Sequence, residues 1–345
     1  NDKRGNNKMN IAVDASGGDY APHEIVKGAI KAAHEYEIEI TLVGRKEILT
    51  VLAGRYLTKL GMNIVEADEI ISFNESPIDG IRSKPNSSIV VGTKLVKEGI
   101  ASAFVSAGST GAVFAAALML LGKIPGVERP AIGCLINVNA AAPILLIDAG
   151  ANTECRPQHL VHFAQLGTIY FREIFGIPTP TVGLLNNGEE EHKGNKLTQE
   201  TYQLLKASKL NFAGNIEGQD IAAGKTNIVV TDGFTGNIVL KTIEGMSTSW
   251  LYSLSQSGRL FSKAHRLPSE SVHRDIGIDS WSKRLDYREY GGSSLLGVNG
   301  DIIIAHGRSQ AKAIKNAIGL AKQAVESNVC QKLKEEHYEQ TNASG

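Results

Sequence analysis

The chain is poor in several things at once. It has three cysteines in 345 residues (Cys134, Cys155 and Cys330), with no CxxC pair and no metal-ligand spacing. So sparse and odd a set argues against a disulfide framework and points to a reducing cytoplasm. Net charge is missing too. Lys+Arg and Asp+Glu both number 36, which argues against a dedicated nucleic-acid binder and leaves only local patches. No GxSxG elbow and no family-type cysteine signature supports covalent catalysis. No internal repeat or low-complexity linker divides the chain, so residues 9–330 are expected to form a single catalytic-size domain. The first eight residues, NDKRGNNK, lack the apolar core of a signal peptide. Met9 is the expected native start, with 1–8 an extension, and the polar tail 331–345 is expected to be flexible.

One long uncharged run is present, residues 99–122. Its length suits a bilayer span. Its middle, however, reads Ser106-Ala107-Gly108-Ser109-Thr110-Gly111, a cluster of turn formers and small hydroxyls. The alternatives are a membrane helix, a buried strand and helix joined by a tight turn, or a binding loop.

Elsewhere short apolar runs alternate with helical patterns. "NIAVDA" (10–15), "IEITLVG" (38–44), "ASAFVSAG" (101–108), "AIGCLI" (131–136) and "PILLIDAG" (143–150) read as strands, as do "TPTVGLL" (179–185), "TNIVVTDG" (226–233) and "DIIIAHG" (301–307). Several are apolar on successive residues, as expected for strands covered on both faces. Pro22 suits the first position of a helix carrying Ile25, Val26, Ala29 and Ile30. Residues 156–175 align Leu160, Phe163, Gly167, Tyr170, Phe171 and Ile174 on one stripe. The alternation implies an α/β fold, three-layer α/β/α with a mainly parallel sheet. Polar or glycine-rich turns follow six of the strands, and in such sheets ligands bind at the strands' carboxyl ends. The expectation is that several loops converge on one crevice.

Each loop has two readings. The 106–111 turn is an anion site at a helix start, or a strand-to-helix turn capped by Ser109; it has neither GxGxxG nor a P-loop lysine. In "DASGGDYAP", Asp14 and Asp19 flank paired glycines and serve as caps or, less economically, as metal ligands. "NNGEEEHKGN" (186–195) is a solvated excursion, or it carries Lys193 to an active crevice. Asn215, Glu217, Asp220, Asp232, Thr235 and Asn237 are turn residues or crevice-lining groups. Cys134 belongs in the core; Cys155 precedes a helix, where a thiolate is stabilised. His306 is a ligand or a structural hydrogen-bonder. Residues 258–288 hold seven basic and four acidic side chains, a local +3, just after the apolar face Trp250, Leu251, Leu254 and Phe261. Such a region suits an anionic membrane or acidic partner, or a packed amphipathic helix.

Taken in order, "IAVDASGGDYAP", "SKPNSSIVVG", "VSAGSTGA", "ERPAIG", "LIDAGAN", "GLLNNGEEEHKGN", "NFAGNIEGQDI", "VVTDGFTGNIVLK", "DYREYGGSSLLGVNG" and "IIAHGRS" resemble the PlsX family of bacterial phosphate acyltransferases. The resemblance implies a fold similar to isopropylmalate dehydrogenase and phosphotransacetylase. It implies transfer of a long acyl group from acyl carrier protein to inorganic phosphate, giving acyl phosphate, early in phospholipid synthesis, with a downstream glycerol-3-phosphate acyltransferase as a further partner. It also implies a cytoplasmic homodimer held peripherally on an anionic membrane surface, with no cofactor, no metal and no nucleic acid. Lys193, Asn215, Asp232 and His306 are the catalytic candidates. Asp14, Gly17, Gly18, Asp19, Ser106, Gly108, Ser109, Thr110, Gly111, Asn187, Thr235 and Asn237 are the candidates for phosphate and acyl-pantetheine binding. Residues 236–290 would form a helical amphipathic tip, with Trp250, Leu254, Arg259, Phe261, Lys263 and Arg266 meeting membrane or carrier protein. Two positions depart from the family pattern: Ser16 stands where Met is usual and Ser109 where Asn is usual. The alternatives are a phosphotransacetylase-like enzyme using acyl-CoA, a metal- and NAD-dependent decarboxylating dehydrogenase, and a non-catalytic scaffold.

Overall fold

A computed structural model of the chain describes residues 9–136, 143–247, 249 and 291–343, with side chains to 336. The membrane and carrier candidates Trp250, Leu254, Arg259, Phe261, Lys263 and Arg266, most of the expected tip, and residues 1–8 lie outside the described residues.

The strands are β1 (Asn10–Asp14), β2 (Glu39–Gly44), β3 (Asn63–Glu66), β4 (Ala103–Ser106), β5 (Ala131–Ile136), β6 (Ile144–Ile147), β7 (Val182–Leu185), β8 (Phe212–Ile216), β9 (Ile228–Val230), β10 (Ser293–Leu296) and β11 (Asp301–Ile304). They form one sheet in the order β3-β2-β1-β4-β11-β10-β5-β6-β9-β7-β8. Their consecutive apolar residues fit burial on both faces: β4 and β6 are buried at every position.

The sheet departs from the expected single edge of loops. β3, β2, β1, β4 and β11 are parallel, and β6, β9, β7 and β8 are parallel, but the three antiparallel pairings β11–β10, β10–β5 and β5–β6 make the second block run opposite to the first. Register brings the two sets of carboxyl ends together. Ser106 pairs with Ile304, Ile304 with Ser293, Ser293 with Cys134, and Cys134 with Leu146. The last residue of β6, Ile147, is therefore one step past the line on which β4 and β11 end. The turns after β4, β6 and β11 flank the middle of the sheet, with β10 and β5 as the floor between them.

Helices cover both faces. They are α1 (His23–Tyr36), α2 (Lys46–Ala53), α3 (Tyr56–Leu60), α4 (Pro77–Ser83), α5 (Ser88–Lys97), α6 (Thr110–Ala116, running into a π turn at Ala117–Leu121), α7 (Pro157–Phe175), α8 (Lys196–Ala207), α9 (Gly218–Ala223), α10 (233–247), α11 (Ala311–Glu326) and α12 (Val329–Ala343). The α7 stripe Leu160, Phe163, Gly167, Tyr170, Phe171 and Ile174 is wholly buried, and each such large side chain contributes about 1.5–3 kcal/mol. Gly28 lets α1 approach α11: a Cβ there would stand 2.6 Å from Ile314 Cβ and 2.7 Å from the Ala311 carbonyl oxygen. Pro22 sits one residue before α1, at its N-cap, rather than inside it. The polar tail for which flexibility was expected is helical through Ala343, with Leu333 buried and Glu336 paired to Arg172 of α7. The uncharged run 99–122 resolves into β4, a turn and α6. Among the described residues no helix is long and apolar enough to cross a membrane.

Candidate active site

Two turns interlock behind the β4–α6 junction. Asp14, 1% exposed, accepts the Ser16 and Gly17 N–H groups on Oδ1 (3.0 and 2.9 Å) and the Ser106 hydroxyl on Oδ2 (2.6 Å). Ser106 Oγ in turn accepts the Gly108 N–H at 3.0 Å. A Cβ on Gly17 would overlap Asp14 Oδ2 and stand 2.8 Å from Gly108 Cα, so only glycine permits this approach. The Asp19 N–H donates to the Gly307 carbonyl (2.8 Å), which ties in the turn after β11, and Gly18 lies against Ala107. Asp14 thus orients two backbone N–H groups and the Ser106 hydroxyl.

In front of this frame lies a cavity of about 390 Å³ over β10 and β5. Thr110 and Gly111 line it at the start of α6, His306 and Ser309 from the turn after β11, and Gly150 from the turn after β6. Phe114, Ile132, Leu135, Ile136, Leu240 and Ile243 supply apolar wall, and Asn237, Lys241 and Glu244 of α10 line the cavity as well. One face of a single helix thus supplies both grease and charge.

The charge forms a cluster. His306 Nδ1 accepts the Arg308 N–H at 3.0 Å, so the ring proton belongs on Nε2. Glu244 Oε2 lies 3.4 Å from that Nε2 and 2.9 Å from Lys241 Nζ, while Lys241 Nζ stands 3.1 Å from Nε2. The carboxylate is the shared counter-charge of both. Burial alone pushes the Glu244 carboxyl up, but hydrogen bonds from His306 and Lys241 outweigh it and hold the group below its ordinary 4.5.

α10 is aimed by its own cap. Asp232 accepts the Thr235 N–H on Oδ1 (2.9 Å) and the Thr235 hydroxyl on Oδ2 (2.8 Å), satisfying the helix start. Beneath it the turn after β6 is organised by Asp148, which is fully buried. Its Oδ1 accepts the N–H groups of Ile132, Gly150 and Ala151 (3.1, 3.0 and 2.9 Å), and Oδ2 accepts the N–H and side-chain amide of Asn152 (2.7 and 2.8 Å). A Cβ on Gly236 would collide with the Asp148 carbonyl oxygen, so α10 rests on this turn through a glycine.

The structure therefore brings Thr110, Gly111, Asn237 and His306 to one cavity. Asp14, Gly17, Gly18, Ser106 and Gly108 frame it, and exposed Asp19 joins that frame through its backbone N–H. Ser109 is the N-cap residue of α6 yet makes no side-chain capping bond, which leaves its hydroxyl unused by the helix. Asp232 and Thr235 spend their side-chain oxygens on the α10 cap. Asn187, Lys193 and Asn215 lie elsewhere, at the carboxyl ends of β7 and β8, with β9 and β6 between them and the cavity floor. There Asn215 donates to the Glu190 carbonyl at 2.9 Å, and Asn187 and Lys193 are exposed.

Cys155 does not have the stabilised thiolate its position before a helix suggested. Burial, with the Asp148 charge adding to it, pushes the thiol up to about 12, and the Sγ donates to the Asn152 carbonyl. Cys134, pushed up to about 11 by burial, lines the cavity as a neutral thiol. Among the described residues no group of three or more His, Cys, Asp or Glu side chains is placed to hold a metal ion. Sequence reasoning passed over Lys241, Glu244 and Ser309. Lys241 and Glu244 stand three residues apart on one helix, and His306 meets them only in the folded chain.

Known proteins resemble the chain over nearly its whole length. A family model described as "Fatty acid synthesis protein" matches residues 9–332. The phosphate acyltransferase of Dehalococcoides mccartyi is 56% identical over 335 residues, covering 97% of this chain and 96% of that one. Among solved structures, a phosphotransacetylase from Streptococcus pyogenes covers 95% of this chain and 94% of its own at TM-score 0.56 and 20% identity. A branched-chain phosphotransacylase from Enterococcus faecalis covers 92% and 99% at TM-score 0.57 and 13% identity. These two likenesses bear on the fold alone, which is the expected mainly parallel α/β architecture, made mixed by the antiparallel join.

Proposed function

Given that the chain belongs to the fatty acid synthesis protein family, the phosphate acyltransferases also called PlsX, we propose that it moves a long acyl group from acyl carrier protein to inorganic phosphate, releasing acyl phosphate and free carrier. The observation that carries this reading is the composition of the cavity. One wall is apolar enough to hold a hydrocarbon chain, and the α6 start, Asn237 and the Lys241–Glu244–His306 cluster supply polar groups for the reacting ends.

The chemistry asks little beyond positioning. A phosphate oxygen attacks the thioester carbonyl carbon, the new C–O bond forms, and the C–S bond breaks with its electron pair going to sulfur. The proton that phosphate gives up matches the one the departing thiol takes, so no outside reactant is needed. Thr110 and Gly111 offer neutral donors that orient phosphate without quenching its oxygens as a nucleophile. Asn237 is the proposed donor to the carbonyl oxygen as it gains charge. His306, with its Nε2 proton directed to Glu244, is the proposed proton carrier near the sulfur. Lys193 remains a proposed cation for the departing thiolate on the resemblance, reaching the cavity by movement of its loop. A homodimer, contact with an anionic membrane and a cytoplasmic setting are further parts of the proposal. The exposed Phe234, Ile238 and Met246 on α10 support a covered face there.

The test offers a palmitoyl carrier-protein thioester and palmitoyl-CoA in parallel, with phosphate, and measures acyl phosphate. Faster product from the carrier thioester is expected; product from CoA alone would reassign the donor, and none from either would remove the acyltransferase reading.

A further inference from the structure

Among the described residues, four buried side-chain atoms have no hydrogen-bond partner: Ser87 Oγ, His162 Nδ1, Asn215 Oδ1 and Ser309 Oγ. A buried hydroxyl left unpaired is costly, and native folds keep few of them. Of the four residues only Ser309 lines the cavity. It is 1% exposed. Its backbone N–H is spent on the His306 carbonyl at 2.8 Å, which fixes the residue on the same short turn as the His306 ring. The first N–H of the adjoining helix, that of Ala311, donates to Glu24 Oε2 at 3.0 Å and not to this hydroxyl. Ser309 is thus a rigidly held, cavity-lining residue whose buried hydroxyl makes no hydrogen bond to the protein.

We propose that Ser309 is a phosphate-binding residue whose hydroxyl donates to an oxygen of the acceptor phosphate. The assignment rests on the acyl-transfer reading above and adds to it the second wall of the phosphate site. The acceptor is held between the α6 start on one side and the turn after β11 on the other. A hydroxyl suits this place, since it fixes an oxygen without drawing charge from the nucleophile as a cation would. The nearby Lys241 is in any case shared between Glu244 and His306.

The experiment uses the whole chain as wild type, Ser309→Ala and Ser309→Thr. It combines calorimetric titration with inorganic phosphate, steady-state kinetics in both substrates, and urea unfolding. Ser309→Ala should weaken phosphate binding and raise the phosphate KM by about ten- to a hundredfold, the size of one hydrogen bond to a charged group. The acyl-donor KM should move less than about twofold. Its urea midpoint should stay level or rise, because an unpaired buried hydroxyl has been removed. Ser309→Thr, which keeps the hydroxyl, should retain most of the phosphate affinity. A merely structural serine would instead lower the midpoint and leave phosphate binding alone. That result, or an unchanged phosphate KM in an active enzyme, overturns the assignment. If wild type binds phosphate yet makes no acyl phosphate, the acyl-transfer reading fails, and the titration still decides whether Ser309 holds the anion.

Discussion

Asp148→Asn should unfold the chain far more easily than an isosteric change suggests. Five N–H groups converge on this carboxylate, three on Oδ1 and two on Oδ2. Asparagine keeps one acceptor oxygen and turns the other into an NH₂ donor. In the better orientation its oxygen serves the Ile132, Gly150 and Ala151 amides. Its NH₂ then faces two N–H bonds of Asn152, of which the backbone one loses its partner and the side-chain amide keeps only the Pro130 carbonyl, at a buried site. Each unsatisfied buried donor costs about 1–3 kcal/mol, so the loss should be roughly 2–6 kcal/mol. Against a total stability of about 5–15 kcal/mol for a domain, that is a large fraction. Because the turn also carries Gly150 into the cavity wall and supports α10 at Gly236, activity should fall even under conditions where the variant is folded. Urea denaturation of wild type and variant, followed by far-UV circular dichroism, reads the difference. A loss under 1 kcal/mol would refute the claim that these five bonds organise the turn.

The Glu244 carboxyl is held below its ordinary 4.5, so its contribution to stability is complete above about pH 4.5 and is lost as pH falls through the lowered value. The stability gap between wild type and Glu244→Gln should therefore narrow from pH 6 to pH 3; a constant or widening gap in urea melts would contradict the cluster. Burial pushes Cys134 and Cys330 up to about 11 and Cys155 up to about 12, against an ordinary 9.0. Iodoacetamide at pH 8 should then alkylate the folded chain about a hundredfold or more slowly than a free thiol, since the thiolate fraction falls tenfold per unit; rapid labelling of any of the three would reopen covalent catalysis. Lys193→Ala should lower turnover with little change in urea midpoint, as its side chain is exposed, and an unchanged rate would remove it from the mechanism.

How much of this could be read from the sequence depended on how each element is buried. β1, β4, β6, β9 and β11 carry apolar residues at successive positions because both faces are covered, and that pattern survives as a readable run. β3 and β8 form the two edges of the sheet, and their short mixed runs, "NIVE" and "FAGNI", carry no such mark. β10 opens on two serines, and buried Ser294 is tolerated because its hydroxyl donates to Tyr170 Oη at 3.0 Å. The glycine-rich turns were legible as site material since they must permit close approach, as Gly17 does against Gly108. What could not be read was the antiparallel join through β10 and β5. That join reverses the second block and decides which turns meet, setting the Lys193 loop apart from the cavity. The Lys241–Glu244–His306 cluster was equally hidden, because 65 residues separate Lys241 from His306 and only the register of β11 brings them into contact.

The central claim is that phosphate itself attacks the acyl carbonyl in this cavity. The most direct measurement supplies phosphate carrying ¹⁸O at all four oxygens with an unlabelled long-chain acyl carrier thioester, and analyses product by mass spectrometry. The expected product is acyl phosphate that keeps all four labels, formed in equal amount with free carrier thiol. Free fatty acid with no labelled acyl phosphate would contradict it.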